Sequence, residues 1–241
     1  MSGPAAVLRA RAKLTLSLRV TGVRADGYHL IDSEMVTLDL ADSLEFRAGD
    51  GLTVTGLGAR GPVPAGEDNL VRRALKAVGR RAAVTLDKRI PTGGGLGGGS
   101  ADAAAVLRWA GVDDVATAVA LGADVPFCLA GGRARVRGIG EVVDPLPFDE
   151  VAGQVYTLLV PPVHVSTVEV YRAWDRLGGP TGDHGNDLEP AALAVTPELA
   201  RWRDRLGAST GENPRLAGSG ATWYVPGAYD GPGLMVVRIE R

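Results

Sequence analysis

The sequence predicts an α+β fold in two unequal halves, and three observations predict it. Residues 8–20 alternate cleanly between apolar and polar positions, the period of a strand with one face on a core. Further strand-like runs and amphipathic helices follow with no internal repeat. A stretch at 145–153, opened by two prolines and closed by glycine, marks the boundary between a first domain, 1–150, and a second, 151–241.

In the first strand Leu8, Ala10, Ala12, Leu14, Leu16, Leu18 and Val20 share one face, and Arg9, Arg11, Lys13, Thr15, Ser17 and Arg19 the other. Shorter strands are expected at 35–40, 44–47 and 52–55, separated by Asp and Gly turn signals. Asp68 is placed to cap a helix carrying Leu70, Val71, Ala74, Leu75 and Val78. Residues 83–90 return as a strand, 91–100 are nearly all glycine, and an Ala-rich helix runs over 101–109. Asp113 and Asp114 precede a second helix at 115–121. Beyond the boundary come a strand at 155–160 and a helix from about Thr167, with Ser166 and Glu169 as a capping box. Pro197 opens another helix, and 222–225 and 234–239 read as two short strands.

Composition narrows the function. A net charge of −2 lacks the basic excess of a nucleic-acid binder. No apolar run reaches the roughly 18–20 residues a membrane span needs, and the N-terminus shows no secretory pattern. Cys128 is the single cysteine, so no internal disulfide framework forms, and His29, His164 and His184 are scattered rather than clustered for zinc. A reducing cytoplasm is the expected location. Arginine greatly outnumbers lysine, which occurs only at positions 13, 76 and 88.

The segment GGGLGGGSADAAA follows a strand and opens a helix. Glycines let backbone N–H groups approach an anion closely, and a helix N-terminus adds unpaired donors and the positive end of its dipole. Together they make a phosphate cradle; the bland alternative is a tight turn or linker. No G-x-x-x-x-G-K-[ST] pattern occurs. Gly93, Gly95 and Gly98 satisfy G-x-G-x-x-G only because glycines are so dense there. Asp113 and Asp114 read as helix caps rather than as the acidic end of a second dinucleotide-binding strand.

From Pro91 the chain reads P-x-G-x-G-L-G, which resembles the second motif of GHMP kinases. Five stretches in order narrow the resemblance to the 4-diphosphocytidyl-2-C-methyl-D-erythritol kinase family: AKLTLSL (12–18), RADGYH (24–29), PTGGGLGGGSADAA (91–104), LGADVPF (121–127) and GSGAT (218–222). VSTVEVY (165–171) and NDLE (186–189) match as well, so the resemblance spans most of the chain. It implies ATP-dependent phosphorylation of the 2-hydroxyl of the methylerythritol unit, in the non-mevalonate route to isoprenoids. It also implies an S5-like N-terminal domain, a ferredoxin-like C-terminal domain and a site in the cleft between them.

Carried over residue by residue, the resemblance makes Asp124 the catalytic aspartate and Lys13 its partner lysine. A carboxylate can take the hydroxyl proton, and an adjacent ammonium offsets developing negative charge. Pro91, Gly93, Gly94, Gly95, Leu96, Gly97, Gly98, Gly99 and Ser100 become the ATP-binding loop. Tyr28 and His29 become the cytosine-recognition pair, with Tyr171 on the other side of the base. Thr15, Thr167 and the third glycine motif, Gly218, Ser219 and Gly220, fall on the substrate side. Taken without the family, Asp124 is a turn cap, Lys13 a solvated strand lysine, Tyr28 a core residue and Thr167 a first-turn residue of a helix.

Mg²⁺ is expected with ATP. Its ligands stay unassigned, because Gly98 stands where related kinases carry serine, with Ser100 and Asp102 nearby. Thr15 replaces the family's usual Asn. The loop before Asp68 and the stretch from the glycine helix to Asp124 are short. Only 226–233 bridge to the last strand, so the C-terminal domain is trimmed by a helix. A GHMP kinase for another small alcohol and a catalytically silent nucleotide-binding homologue are the competing readings.

Overall fold

A computed structural model describes residues 6–56 and 63–241; residues 57–62, in the short loop before Asp68, lie outside it. The first sheet contains β1 (Ala6–Val23), β2 (His29–Arg47), β3 (Gly51–Thr55), β4 (Ala83–Asp87), β5 (Arg133–Gly138) and β6 (Val142–Pro145). Their order is β3-β4-β2-β5-β6, with β1 antiparallel to β2 along its length. The two strands expected at 35–40 and 44–47 are one, because Ala41, Asp42 and Ser43 stay in ladder register with β1 and the intervening Asp does not turn the chain.

The helices of this half are α1 (Leu70–Ala77), α2 (Gly98–Ala110), α3 (Val115–Leu121) and α4 (Val125–Ala130). Asn69 rather than Asp68 caps α1: its side-chain oxygen accepts the Val71 N–H at 2.9 Å. Asp114 caps α3 by accepting the Thr117 N–H at 2.7 Å. Helix α2 starts three residues before the expected Ala101, since Gly97 takes a left-handed φ of 69° and turns the chain into the first turn. Ala101 through Leu107 are buried, and small alanines let α2 pass close under β1 and α1. Helix α4 and strands β5 and β6 are not among the expected elements, although β5 alternates arginine with Ala134 and Val136 in the period of a strand; its arginines pair with Asp32, Glu34, Asp144 and Glu150.

The second sheet takes β7 (Val155–Leu159), β8 (Arg215–Leu216), β9 (Trp223–Pro226) and β10 (Leu234–Arg238) in the order β10-β7-β9-β8, every neighbour antiparallel. Numbered within the half this is 4-1-3-2, the ferredoxin-like order. Helices α5 (Thr167–Arg176), α6 (Glu189–Val195) and α7 (Leu199–Thr210) fill the first crossover. Ser166 caps α5, but only half of a capping box forms, because the Glu169 carboxylate pairs with Arg172. Residues 227–233 make the second crossover without a helix. Strand β9 leaves opposite Tyr156 and β10 begins opposite Leu159 on the other side of β7, so the chain must span three residues along the strand and two strand spacings across it, roughly 14 Å. Seven extended residues reach about 23 Å, so the fold closes without the second helix.

The halves share their cores. Leu158, Tyr224, Val237 and Ile239 join the cluster under the first sheet, while Leu18, Ile31, Met35 and Phe127 join that of Val170, Leu188 and Trp223. Along this shared seam lie the residues singled out from the sequence.

Candidate active site

The register of β1 against β2 shifts between Arg11 and Lys13, where the extra residues lie on β2, and between Thr15 and Ser17, where the extra residue lies on β1. Ala12 and Leu14 keep the core face, so Lys13 and Thr15 stay on the opposite one, which is covered by the glycine segments around Leu96, Gly97 and Gly218. Lys13 and Thr15 lie on the face the alternation predicts, but that face is covered here, and they are buried at 5% and 2% exposure. The Lys13 ammonium donates to Thr15 Oγ1 at 3.0 Å and stands 3.4 Å from Asp124 Oδ2. Asp124 occupies the residue before α4, and its side chain makes no capping bond there. Thr15 thus keeps the hydrogen bond to Lys13 within its shorter reach.

The glycine loop meets this pair from the side. The Lys13 N–H donates to Leu96 O at 3.0 Å. Gly97 lies so close to the lysine stem that a β-carbon would meet Lys13 Cγ at 2.8 Å. All nine residues of the expected ATP-binding loop line one cavity of about 320 Å³, together with Thr92, Leu70 and Lys88. Gly98, Gly99 and Ser100 form the first turn of α2, where backbone N–H groups have no partner within the helix. That turn is what an anion would meet.

The third glycine segment interlocks with the loop. A β-carbon on Gly95 would lie 2.6 Å from Ala217 O and 2.7 Å from Gly220 O, and the Thr222 N–H donates to Gly94 O at 3.2 Å. Gly218 lies against the Lys13 ammonium and Thr15 hydroxyl. Ser219 Oγ and Thr167 Oγ1 are 2.8 Å apart, so Thr167 joins α5 to this segment rather than capping its own helix.

NDLE, a bare match in the sequence, proves to be the brace of this arrangement. Asn186 donates to Leu216 O at 2.9 Å and to Gly218 O at 2.7 Å, while its own oxygen accepts the Leu188 N–H. Asp187 accepts from Arg19 at 2.5 Å and from the Val20 N–H at 3.0 Å, fastening the second half to β1. These roles depend on contacts about 30 and 170 residues away in sequence, which spacing does not reveal.

The aromatic group gathers at the start of β2 and on α5. Tyr28 is 60% exposed, not a core residue. His29 packs its ring on Tyr171 at 4.7 Å between centroids and meets Trp174 edge-on at 5.6 Å. Its Nε2 lies 2.8 Å from Asp175 Oδ1, a contact the sequence did not suggest. Burial raises the Tyr171 hydroxyl above its ordinary value, and the Asp124 charge adds to the rise.

Of the two residues near the expected metal position, Asp102 is engaged elsewhere. Its Oδ2 accepts from Lys88 at 2.9 Å, and Lys88 also bonds Asp42, whose other oxygen caps the Arg89 and Ile90 N–H groups. Ser100 stays at the helix start beside Gly122. Cys128 is buried packing behind Gly97, its thiol pushed up to about 12 by burial.

A two-domain α+β fold whose glycine loop opens a helix beside a Lys–Asp pair defines a GHMP kinase, and the model of the GHMP kinases N terminal domain matches residues 69–132. The chain is 40% identical to 4-diphosphocytidyl-2-C-methyl-D-erythritol kinase of Cereibacter sphaeroides, over 89% of this chain and 87% of that one. It is 41% identical to the kinase of the same name from Paracoccus denitrificans, over 89% and 84%. A crystal structure of 4-(cytidine 5'-diphospho)-2C-methyl-D-erythritol kinase superposes with a TM-score of 0.72 at 35% identity, over 91% of this chain and 89% of that one. Mevalonate kinase of Methanococcus jannaschii shares the fold, at TM-score 0.60 and 12% identity over 99% of both chains. The chain belongs to the 4-diphosphocytidyl-2-C-methyl-D-erythritol kinase family and is an ATP-dependent phosphotransferase. Among the described residues no helix is long and apolar enough to cross a membrane.

Proposed function

We propose that this chain transfers the γ-phosphoryl group of ATP to the 2-hydroxyl of 4-diphosphocytidyl-2-C-methyl-D-erythritol. One observation carries the reading: the Lys13–Asp124 pair, 3.4 Å apart, shares a wall with the glycine-lined cavity through Gly97. A hydroxyl brought to Asp124 therefore faces phosphates held on the first turn of α2. Asp124 takes the hydroxyl proton as the new P–O bond forms and the bond to ADP breaks. Lys13 orients that hydroxyl and offsets charge on the transferring group, with Thr15 holding the ammonium in place.

Residues 91–100 hold the phosphates, Tyr28, His29 and Tyr171 hold the cytidine end, and Thr167 and Gly218 to Gly220 close the substrate side. The boundary between the domains falls at 150/151, with the first sheet ending at Pro145 and the second starting at Val155. Mg²⁺ accompanies the nucleotide. The protein offers a hydroxyl at Ser100 rather than a cage, among the described residues, of three or more His, Cys, Asp or Glu, which suits an ion bound largely by phosphates and water. When bound, Mg²⁺ neutralises charge on the β- and γ-phosphates. A cytoplasmic location fits a kinase of small phosphorylated metabolites.

The test is ADP release with Mg·ATP and the cytidine substrate, using galactose, homoserine and mevalonate as controls. Turnover confined to the cytidine substrate is the expected result. Turnover with a control alcohol alone overturns the substrate assignment, and silence with all of them overturns the activity.

A further inference from the structure

We propose that Asp175 sets the base preference of the site by fixing the tautomer of His29; this rests on the reading of Tyr28 and His29 as the cytidine end. His29 opens β2 in the first half and Asp175 lies in the last turn of α5 in the second. Their contact, Nε2 to Oδ1 at 2.8 Å, crosses the cleft. An ionised carboxylate only accepts hydrogen bonds, so the proton on this contact belongs to Nε2. A neutral imidazole so arranged keeps a bare lone pair on Nδ1.

The ring cannot readily turn over to exchange its nitrogens. Tyr171 covers one face at 4.7 Å and Trp174 abuts it at 5.6 Å, while Trp174 is itself anchored by donating to Pro180 O at 2.9 Å. The His29 side chain is only 9% exposed. Position 29 therefore presents an acceptor beside the exposed ring of Tyr28.

An acceptor there discriminates between pyrimidines. The exocyclic amino group of cytosine is a donor and can be satisfied by Nδ1. Uracil carries a carbonyl at the same position, which would set two acceptors against each other and leave both unpaired. The reaction centre is untouched by this choice, so the preference belongs to binding rather than to the phosphoryl step.

The experiment pairs a spectroscopic and a kinetic readout. With ¹⁵N-histidine label and His29→Gln to assign the signal among three histidines, wild-type His29 is expected to show one protonated and one bare nitrogen, the bare one shifting on addition of CDP and not of UDP. Asp175→Asn, whose amide can accept or donate, and Asp175→Ala are expected to mix the tautomers. They should lower the ratio of kcat/KM for the cytidine over the uridine substrate by roughly tenfold, mainly through KM for the cytidine substrate. A doubly protonated His29 in the wild type, or an unchanged ratio in both variants despite altered nitrogen signals, overturns the proposal. If the wild type turns over neither substrate while the bare nitrogen still shifts with CDP alone, the proposed acceptor alcohol fails and the Asp175 inference stands. If neither nucleotide moves the signal, the cytidine subsite and this inference fail together.

Discussion

Gly97 and Lys13 are in such close contact that the backbone of one replaces a side chain against the stem of the other, with only 2.8 Å between Lys13 Cγ and the position of an added β-carbon. Gly97 also holds a φ of 69°, which costs an L-residue about 1–2 kcal/mol. Gly97→Ala is expected to lose at least that much stability in denaturant unfolding and to lower kcat and raise the KM for ATP together. The substitution displaces the lysine and the loop at once. Unchanged kinetics would show that the loop does not depend on this contact.

Asp124→Asn keeps the shape of the side chain and removes the proton acceptor. It is expected to lower kcat by about 10²–10⁴-fold, the range of a positioned general base. ATP affinity, measured by calorimetry, should change little, because the glycine loop is intact. Near-normal turnover would remove Asp124 from the role of base.

Asn186 joins two carbonyls of the third glycine segment, and its two replacements separate lost bonding from repulsion. Asn186→Ala leaves the carbonyls of Leu216 and Gly218 unpaired and should cost about 1–3 kcal/mol. Asn186→Asp turns an oxygen toward them and should cost more, with a rise in KM for both substrates. Equal thermal shifts for the two variants would argue that water replaces the donor without penalty.

Asp102 gives the protein a pH-dependent weakness. Burial raises its carboxyl well above the usual carboxylate range; the Lys88 charge opposes this and the Asp42 charge adds to it. The unfolded chain releases this proton near its ordinary value of about 4 and the folded chain holds it to higher pH. Between those values the unfolded state binds fewer protons, so the stability this group contributes is present in acid and is lost as pH rises through the raised value. Asp102→Asn imitates the protonated form. Its unfolding temperature relative to wild type is expected to climb as pH is raised above the carboxylate range, and a gap that stays constant with pH would contradict this.

Much of the site was legible in the sequence because its chemistry is local. A glycine run before an alanine helix declares its backbone whatever surrounds it, and all nine residues read from it line one cavity. The burial of Lys13 and Thr15 was not legible, since a period of two places them on the polar face and only the distant glycine segments at 96–97 and 218 cover that face. Asp68 and Asn69 are equally good caps by type, and the backbone angles chose the second. Strand β5 carries the period of a strand in its sequence, arginine alternating with Ala134 and Val136, but which carboxylates its arginines meet was set only by its pairing with β2 and β6.

The sequence by itself determined the two-part α+β architecture and the glycine loop at a helix start, while the pairing of Lys13 with Asp124 and the loss of the last crossover helix were legible through the family the motifs resemble. The architecture and the loop follow from periodicity and glycine content, which act over a few residues. Only the tertiary structure decided that Asn186 holds the third glycine segment, that Thr167 meets Ser219 and that Asp175 meets His29. Each of these joins segments tens to more than a hundred residues apart, and a hydrogen bond forms only when packing has brought its donor and acceptor within about 3 Å.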